Sequence, residues 1–570
     1  MITGRRAFIG TAAAGVAGTL VARQIPAVRA QATASRLEIL VNEPIGTIAP
    51  DLHGHFVEHL GGVVYDGVWV GENSKVVNVN GIRKALVDEL KKIKPPVIRW
   101  PGGCFADSYD WRDGVGAPDQ RPRRTDFWAD TRPAQDRATT GGPQRFDPNR
   151  FGTNEFIRFC RLTGAEPYIA ANVRSLPAKD FYQWVEYCNA PAGETTMSDL
   201  RATGGDRDPF NVRYWGVGNE PWGCGGNFTP EEYATEYRRY TAWVPKFGVP
   251  LKYIAAGPNG PDRDWTTRFF RALTARGPNA LNNVYGWAMH YYCGSTGDRN
   301  AVQFSTDDWY DLLTRADRME SIVTTHWSAM AESDPTHKVK LIVDEWGAWH
   351  QGAADMPANY LWAYPGSLRD ALVAALTLDT FNRHADKIIM ANVAQLINTI
   401  HSLFLATEDK FVATPNFHVF EMYAAHQGAQ ALRTVFSAPG LTFKRNPPEP
   451  PAAAQAQMTP QQRAAAAAQA STTGTLWGLQ GSASLNGKQL TLTVVNPHAT
   501  EAVETEVVVR GATVQSAQAL TLSSSDLHAR NTFEFPRALE PVGAAVDVQA
   551  GRVSHRFPAA SVTRLQLVLA

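Results

Sequence analysis

From about residue 50 to residue 400, short apolar runs alternate with amphipathic, helix-like segments. Eight of the runs read as strands: residues 52–58, 96–100, 167–173, 213–220, 253–258, 284–292, 340–346 and 387–397. Helical stretches lie between several of them, at 83–94, 153–163, 230–244 and 367–384. A strand followed by a helix, repeated eight times, predicts an α/β fold of the (β/α)8 type, a TIM barrel spanning residues 50–400.

The polar residues in these runs gather at one end. Glu58, Arg99, Asn172, Asn219, Glu220, Tyr292, Glu345 and Gln395 all stand at or near the C-terminal limit of a predicted strand. An unpaired charge buried in a core is costly, so packing gives no reason for them there. A barrel builds its active site on that face, and the pattern places one at the barrel mouth.

After residue 400 the texture changes. Residues 476–479, 490–495, 504–509, 517–522, 551–557 and 562–569 read as short strands, several with alternating apolar and polar positions. They predict a C-terminal β-sandwich over 401–570. The apolar stretch in 36–49 is expected to be an outlying strand of that sandwich, laid down before the chain enters the barrel. Residues 445–470, rich in Pro, Ala and Gln, read as an insertion within it.

Composition narrows the partners. Lys plus Arg and Asp plus Glu are equal at 55 each, with no long basic run, which argues against nucleic acid or an anionic membrane as partner. Sixteen Trp and 17 Tyr suit stacking on sugar faces, although a large core absorbs most such side chains. At the N-terminus, Arg5-Arg6-Ala7-Phe8-Ile9, a mildly apolar stretch and Val28-Arg29-Ala30 resemble a twin-arginine signal over residues 1–30. Export to the periplasm or the medium is therefore expected. The five cysteines are too few and too scattered for a disulfide scaffold. Cys104, Cys224 and Cys293 follow strands two, four and six; free thiols are expected there, with a disulfide or a thiolate metal site as alternatives.

Two glutamates carry the chemistry. Glu220 closes Tyr214-Trp215-Gly216-Val217-Gly218-Asn219-Glu220-Pro221, and Glu345 lies in Leu341-Ile342-Val343-Asp344-Glu345-Trp346-Gly347. Strands four and seven stand across the barrel mouth from each other, so the two carboxyls can face one sugar. Glycosidic cleavage needs such a pair, one protonated to donate to the leaving oxygen and one ionised to meet the anomeric carbon. The amide of Asn219 can donate to the hydroxyl beside that carbon.

An Asn-Glu pair on strand four with a second Glu on strand seven resembles the large retaining (β/α)8 glycosidase clan. A longer series resembles glycoside hydrolase family 51, the α-L-arabinofuranosidases. It comprises His55-Phe56-Val57-Glu58-His59-Leu60-Gly61, Arg99-Trp100-Pro101-Gly102-Gly103, Tyr109-Asp110-Trp111-Arg112-Asp113-Gly114-Val115-Gly116 and Arg121-Pro122. Val217-Gly218-Asn219-Glu220 with Trp222-Gly223-Cys224-Gly225-Gly226, Val343-Asp344-Glu345-Trp346, Ala394-Gln395-Leu396-Ile397-Asn398 and Asn531-Thr532-Phe533 continue it. The resemblance implies Glu220 as acid/base and Glu345 as nucleophile. It also implies Glu58, Arg99, Cys104, Asn219, Tyr292 and Gln395 around an arabinofuranosyl ring, with Trp128 and Trp349 as walls. It implies no cofactor and no metal, arabinofuranosyl-containing saccharides as partners, and a homo-oligomer.

The sequence departs from the family pattern at Cys104, where many relatives carry Asn, at Gly347, and in an insertion over 130–150 beside the mouth. Rival readings are an endo-β-glucanase or β-xylosidase on the same scaffold, and a catalytically silent carbohydrate-binding protein. His53, His55, His59 and His290 lack metal-ligand spacing and are expected to serve as hydrogen-bonding groups.

Overall fold

The computed structural model describes residues 35–128, 146–294, 300–353, 356–357, 359–445, 459, 461 and 472–570. The N-terminal segment 1–30, most of the 130–150 insertion and most of the 445–470 segment therefore lie outside the described residues.

Eight parallel strands close into a barrel in chain order: Gly54–Phe56, Val97–Trp100, Glu166–Ala171, Tyr214–Val217, Lys252–Asn259, Gly286–Tyr292, Lys340–Gly347 and Ile388–Val393. The eighth returns to the first through Asn392↔Gly54 and Val393↔His55. Val97, Tyr168, Tyr214, Ile254, Ala288, Ile342 and Met390, one from each of strands two to eight, pack into a single interior cluster. The first strand contributes Gly54 beside this layer, because a Cβ there would overlap the Asn392 side chain and come within 2.6 Å of Val97 Cγ1. The barrel is filled, not hollow.

The helices form for local reasons as well as for packing. Lys84–Ile93 buries Leu86, Val87, Leu90 and Ile93 on one stripe. Thr153–Thr163 opens with Glu155 accepting from the Gly152 N–H at 2.8 Å and stops at Gly164, whose φ of 80° suits a left-handed cap. Arg121 forms a two-pronged ion pair with the buried Glu155, so the Arg121-Pro122 motif anchors this helix rather than the site.

The barrel extends past residue 400. After the eighth strand comes a hairpin, Phe404–Thr407 with Lys410–Ala413, and then the helix Pro415–Tyr423, which packs between the helices Leu368–Arg383 and Lys84–Ile93. This last helix fills the eighth place in the ring, so the boundary expected at 400 falls later. A hairpin and a nine-residue helix this apolar have no clear amphipathic period to read.

The remaining strands form a ten-stranded sheet that curls so that Val514–Ser523 approaches Arg552–Phe557 and Val548–Gln549 across one core. That core holds Leu37, Ile39, Leu432, Leu490, Leu492, Val507, Phe557 and Leu565 among others. Ser35–Thr47 lies inside the sheet, antiparallel to Gln430–Phe436 and parallel to Val503–Arg510. The ends of the Pro/Ala/Gln-rich segment, Leu441–Arg445 and Thr472–Leu476, pair with each other as a separate two-stranded ribbon. Among the described residues no helix is long and apolar enough to cross a membrane.

Candidate active site

The strand ends converge on Glu345. Its strand is bulged: Met289 pairs with Val343, but His290 pairs with Glu345, which leaves Asp344 as the extra residue. In a regular strand, consecutive side chains point to opposite faces; the bulge lets Asp344 and Glu345 both reach Arg99. Arg99 Nη1 donates to Glu345 Oε1 at 2.8 Å, Nη2 donates to Asn219 Oδ1 at 2.6 Å, and Nε lies 3.6 Å from Asp344 Oδ2. Asp344 also accepts from the Tyr168 hydroxyl at 2.7 Å and from Asn392 Nδ2 at 3.1 Å. With its acceptor oxygen taken by Arg99 and its amide nitrogen directed at Cys224 Sγ, 3.8 Å away, Asn219 keeps one further N–H to offer. Gly103 borders the same space: a Cβ there would stand 2.6 Å from Glu345 Oε1 and 3.5 Å from Asn219 Nδ2.

The second oxygen of Glu345 accepts from the Tyr292 hydroxyl at 2.8 Å and lies 3.5 Å from His290 Nδ1. His290 Nδ1 is also 2.9 Å from Glu220 Oε1. One ligand atom each from Glu220, His290 and Glu345 falls within 4.8 Å of the others, so the two carboxyls meet across a single small gap.

Burial opposes ionisation of Glu345, but His290 and Arg99 beside it, with the hydrogen bonds from Arg99 and Tyr292, outweigh that and hold its carboxyl below the ordinary range. Burial likewise opposes the charged form of His290, yet Glu345 and Glu220 raise it above its ordinary value. Glu58 behaves oppositely: burial, then repulsion from Glu345, pushes it up to about 8. Glu58 is paired with Gln395, whose Oε1 accepts from the Glu58 N–H at 3.1 Å and whose Nε2 donates to Glu58 Oε2 at 3.2 Å. The Phe105 N–H donates to Glu58 Oε1 at 3.1 Å.

The aromatic residues form one side of the mouth. Trp349 meets Tyr292 edge-on with centroids 5.0 Å apart, and Trp362 bridges Trp349 at 4.7 Å and Trp128 at 5.6 Å. Trp362 escaped the sequence reading because it sits in an irregular loop with no motif. Asp107 escaped it too: this buried carboxylate accepts from the N–H groups of Val173 at 2.7 Å and Asn219 at 2.8 Å, tying the loops after strands two, three and four together.

The expectation of free thiols is corrected at two of three positions. Cys104 and Cys224 form a disulfide, while Cys293 is a buried free thiol. The loops after strands two and four are neighbours at the rim, a proximity that 120 residues of separation conceals. The bond removes the thiolates that a metal site there would need. Glu220, His290 and Glu345 are spaced closely enough to hold a cation, although Arg99 already supplies a full positive charge to Glu345. His55 departs from its expected hydrogen-bonding role: neither ring nitrogen has a hydrogen-bond partner among the described residues, it packs 5.3 Å from the Phe420 ring, and burial pushes it down to about 3.

Comparison with known proteins decides the family. Residues 89–292 match the family described as alpha-L-arabinofuranosidase 1 domain, and residues 344–561 match the alpha-L-arabinofuranosidase C-terminal domain. The chain is 33% identical over 526 residues to the intracellular exo-alpha-L-arabinofuranosidase of Bacteroides ovatus, covering 91% of this chain and 93% of that one. The GH51 arabinofuranosidase structure from Xanthomonas axonopodis pv. citri superposes with a TM-score of 0.81 at 34% identity, over 94% of this chain and all of that one. The chain belongs to glycoside hydrolase family 51, the α-L-arabinofuranosidases. An intracellular exo-alpha-(1->5)-L-arabinofuranosidase of Acetivibrio thermocellus, from the strain ATCC 27405, is 30% identical over 64% of this chain and 70% of its own.

These family 51 relatives correct the expectation of export through the twin-arginine route. The Bacteroides ovatus and Acetivibrio thermocellus relatives are both named intracellular, which speaks against the periplasm or the medium.

Proposed function

We propose that this family 51 member releases terminal α-L-arabinofuranosyl groups with retention of configuration, Glu345 acting as nucleophile and Glu220 as acid/base. The observation that carries the reading is the gap of under 4.8 Å between an oxygen of Glu220 and one of Glu345. It suits the narrow separation, roughly 5–5.5 Å between carboxyls, of enzymes that form a covalent glycosyl intermediate, better than the ~6.5–9.5 Å that inversion uses. The electrostatics support the same division of labour. Arg99, His290 and Tyr292 hold Glu345 ionised, as a nucleophile needs, whereas the Glu220 side chain is more exposed, at 18% against 8% for Glu345.

In this reading Glu345 attacks the anomeric carbon while Glu220 gives its proton to the departing oxygen; Glu220 then takes a proton from water, which displaces Glu345. Asn219 and Glu58 with Gln395 hold the ring hydroxyls, and Trp128, Trp349 and Trp362 wall the leaving side. The named activities of the relatives support terminal arabinofuranosyl groups of arabinose-containing plant polysaccharides, or the oligosaccharides cut from them, as substrates.

The test is product stereochemistry. Proton NMR of a fresh digest of arabinan oligosaccharide should show the α-anomer first; the β-anomer first would exclude the covalent route. Glu345→Ala should abolish turnover of every arabinofuranoside, and residual activity above about 1% of wild type would remove the nucleophile assignment.

A further inference from the structure

The Cys104–Cys224 disulfide ties the loop after the second barrel strand to the turn after the fourth. Both sulfurs face Glu220: Cys224 Sγ is 3.6 Å and Cys104 Sγ 3.9 Å from Oε2. Glu220 itself has a φ of 38°, a left-handed conformation that a side chain with a Cβ adopts at some cost. The turn that holds it there is closed by Gly223 and Gly225, whose N–H groups donate to the Glu220 carbonyl at 2.8 and 3.1 Å. Gly225 admits no Cβ, which would overlap the Asn219 carbonyl oxygen. Cys224 lies inside this turn, so its bond to Cys104 anchors the strained backbone to the neighbouring loop. Cys104 and Cys224 are half-buried at the mouth, within reach of a small reductant, whereas the free thiols Cys160, Cys188 and Cys293 are buried.

We propose that this disulfide positions the Glu220 carboxyl, and that its reduction by a dithiol slows the step in which Glu220 protonates the leaving group; this rests on the acid/base reading above. One thiolate of the dithiol attacks a protein sulfur to give a mixed disulfide, and the dithiol's second sulfur then displaces the protein thiol. Two electrons and two protons pass to Cys104 and Cys224, and the dithiol departs as its own disulfide. A disulfide sulfur has no hydrogen to donate, but a thiol has. Reduction thus places two S–H donors beside Glu220 Oε2 and releases the turn from its anchor, and both changes work against a carboxyl that must deliver its proton along one line. The intracellular names of its relatives add a setting: disulfides in a reducing cytosol are typically catalytic or redox-sensing.

The experiment uses the full chain. Dithiothreitol followed by iodoacetamide should add two alkyl groups, mapped by mass spectrometry to Cys104 and Cys224. Before alkylation, kcat/KM on an arabino-oligosaccharide should fall about tenfold or more, and that on nitrophenyl arabinofuranoside less than about twofold. Diamide should restore the loss, and a Cys104→Ser/Cys224→Ser double variant should show the reduced pattern with no response to dithiol. Equal loss on both substrates, an unchanged kcat/KM in doubly reduced protein, or no labelling after prolonged reduction would each overturn the proposal. Glu220→Ala separates the two ideas. If that variant shows no leaving-group dependence, the acid/base reading itself falls; if it does and reduction does not, only the role of the disulfide falls.

Discussion

The Tyr292 hydroxyl donates to Glu345 Oε2 at 2.8 Å while Arg99 holds Oε1, so the two oxygens of one carboxylate have different donors, one neutral and one charged. A hydrogen bond to a charged group is worth about 1.5–3 kcal/mol. Tyr292→Phe should therefore lower kcat on nitrophenyl arabinofuranoside about 10- to 100-fold, with the far-UV circular dichroism unchanged. A wild-type rate would mean that this phenol does not tune the nucleophile.

Arg99 is buried between Asp344, Glu345 and Asn219. Removing its charge leaves Asp344 with neutral donors and Glu345 with His290 as its cationic neighbour, and breaking buried pairs in this way costs about 3–5 kcal/mol. Arg99→Met should lower the free energy of unfolding in urea by that order. A loss under about 1 kcal/mol would show that water or relaxation replaces the guanidinium.

Glu220→Ala removes the proton donor but leaves the nucleophile. Expected kcat/KM on an oligosaccharide, whose leaving group is poor, falls about 10²–10⁴-fold, and far less on the nitrophenyl glycoside. Measuring the two substrates side by side checks the assignment, because a merely structural defect would depress both alike.

Glu58 binds its proton more tightly folded than unfolded, since burial and Glu345 lift it from 4.5 to about 8. The stability it contributes is complete below pH 4.5 and is lost as the pH rises through about 8. Glu58→Gln abolishes this titration. The drop in Tm between pH 5 and pH 8.5 should be smaller in the variant than in wild type, as read by scanning calorimetry at matched ionic strength. An identical drop would place the titration elsewhere.

Much of this site is legible in the sequence because a barrel strand has so few uses for a charge. Arg99, Asn219, Glu220, Tyr292 and Glu345 stand at strand ends where packing alone would select apolar residues, and the structure brings them together. What stays hidden depends on pairing across the fold. The bulge that turns Asp344 inward exists only against the sixth strand, and the Cys104–Cys224 bond only once two loops lie side by side. Gln430–Phe436 and Gln480–Asn486 escape a reading by alternation, because their buried positions are consecutive, Ala431-Leu432 and Gly481-Ser482-Ala483-Ser484.

The strand Ser35–Thr47 sits between Gln430–Phe436 and Val503–Arg510. On the ribosome it emerges long before its partners: about 380 residues must follow it before its antiparallel neighbour exists. At 5–20 residues per second that is a wait of roughly 20–80 seconds with an unpaired hydrophobic edge. Nascent chains of this protein thus have an early period of exposure to chaperones and to aggregation, and a fragment beginning after this strand would leave a slot in the sheet open.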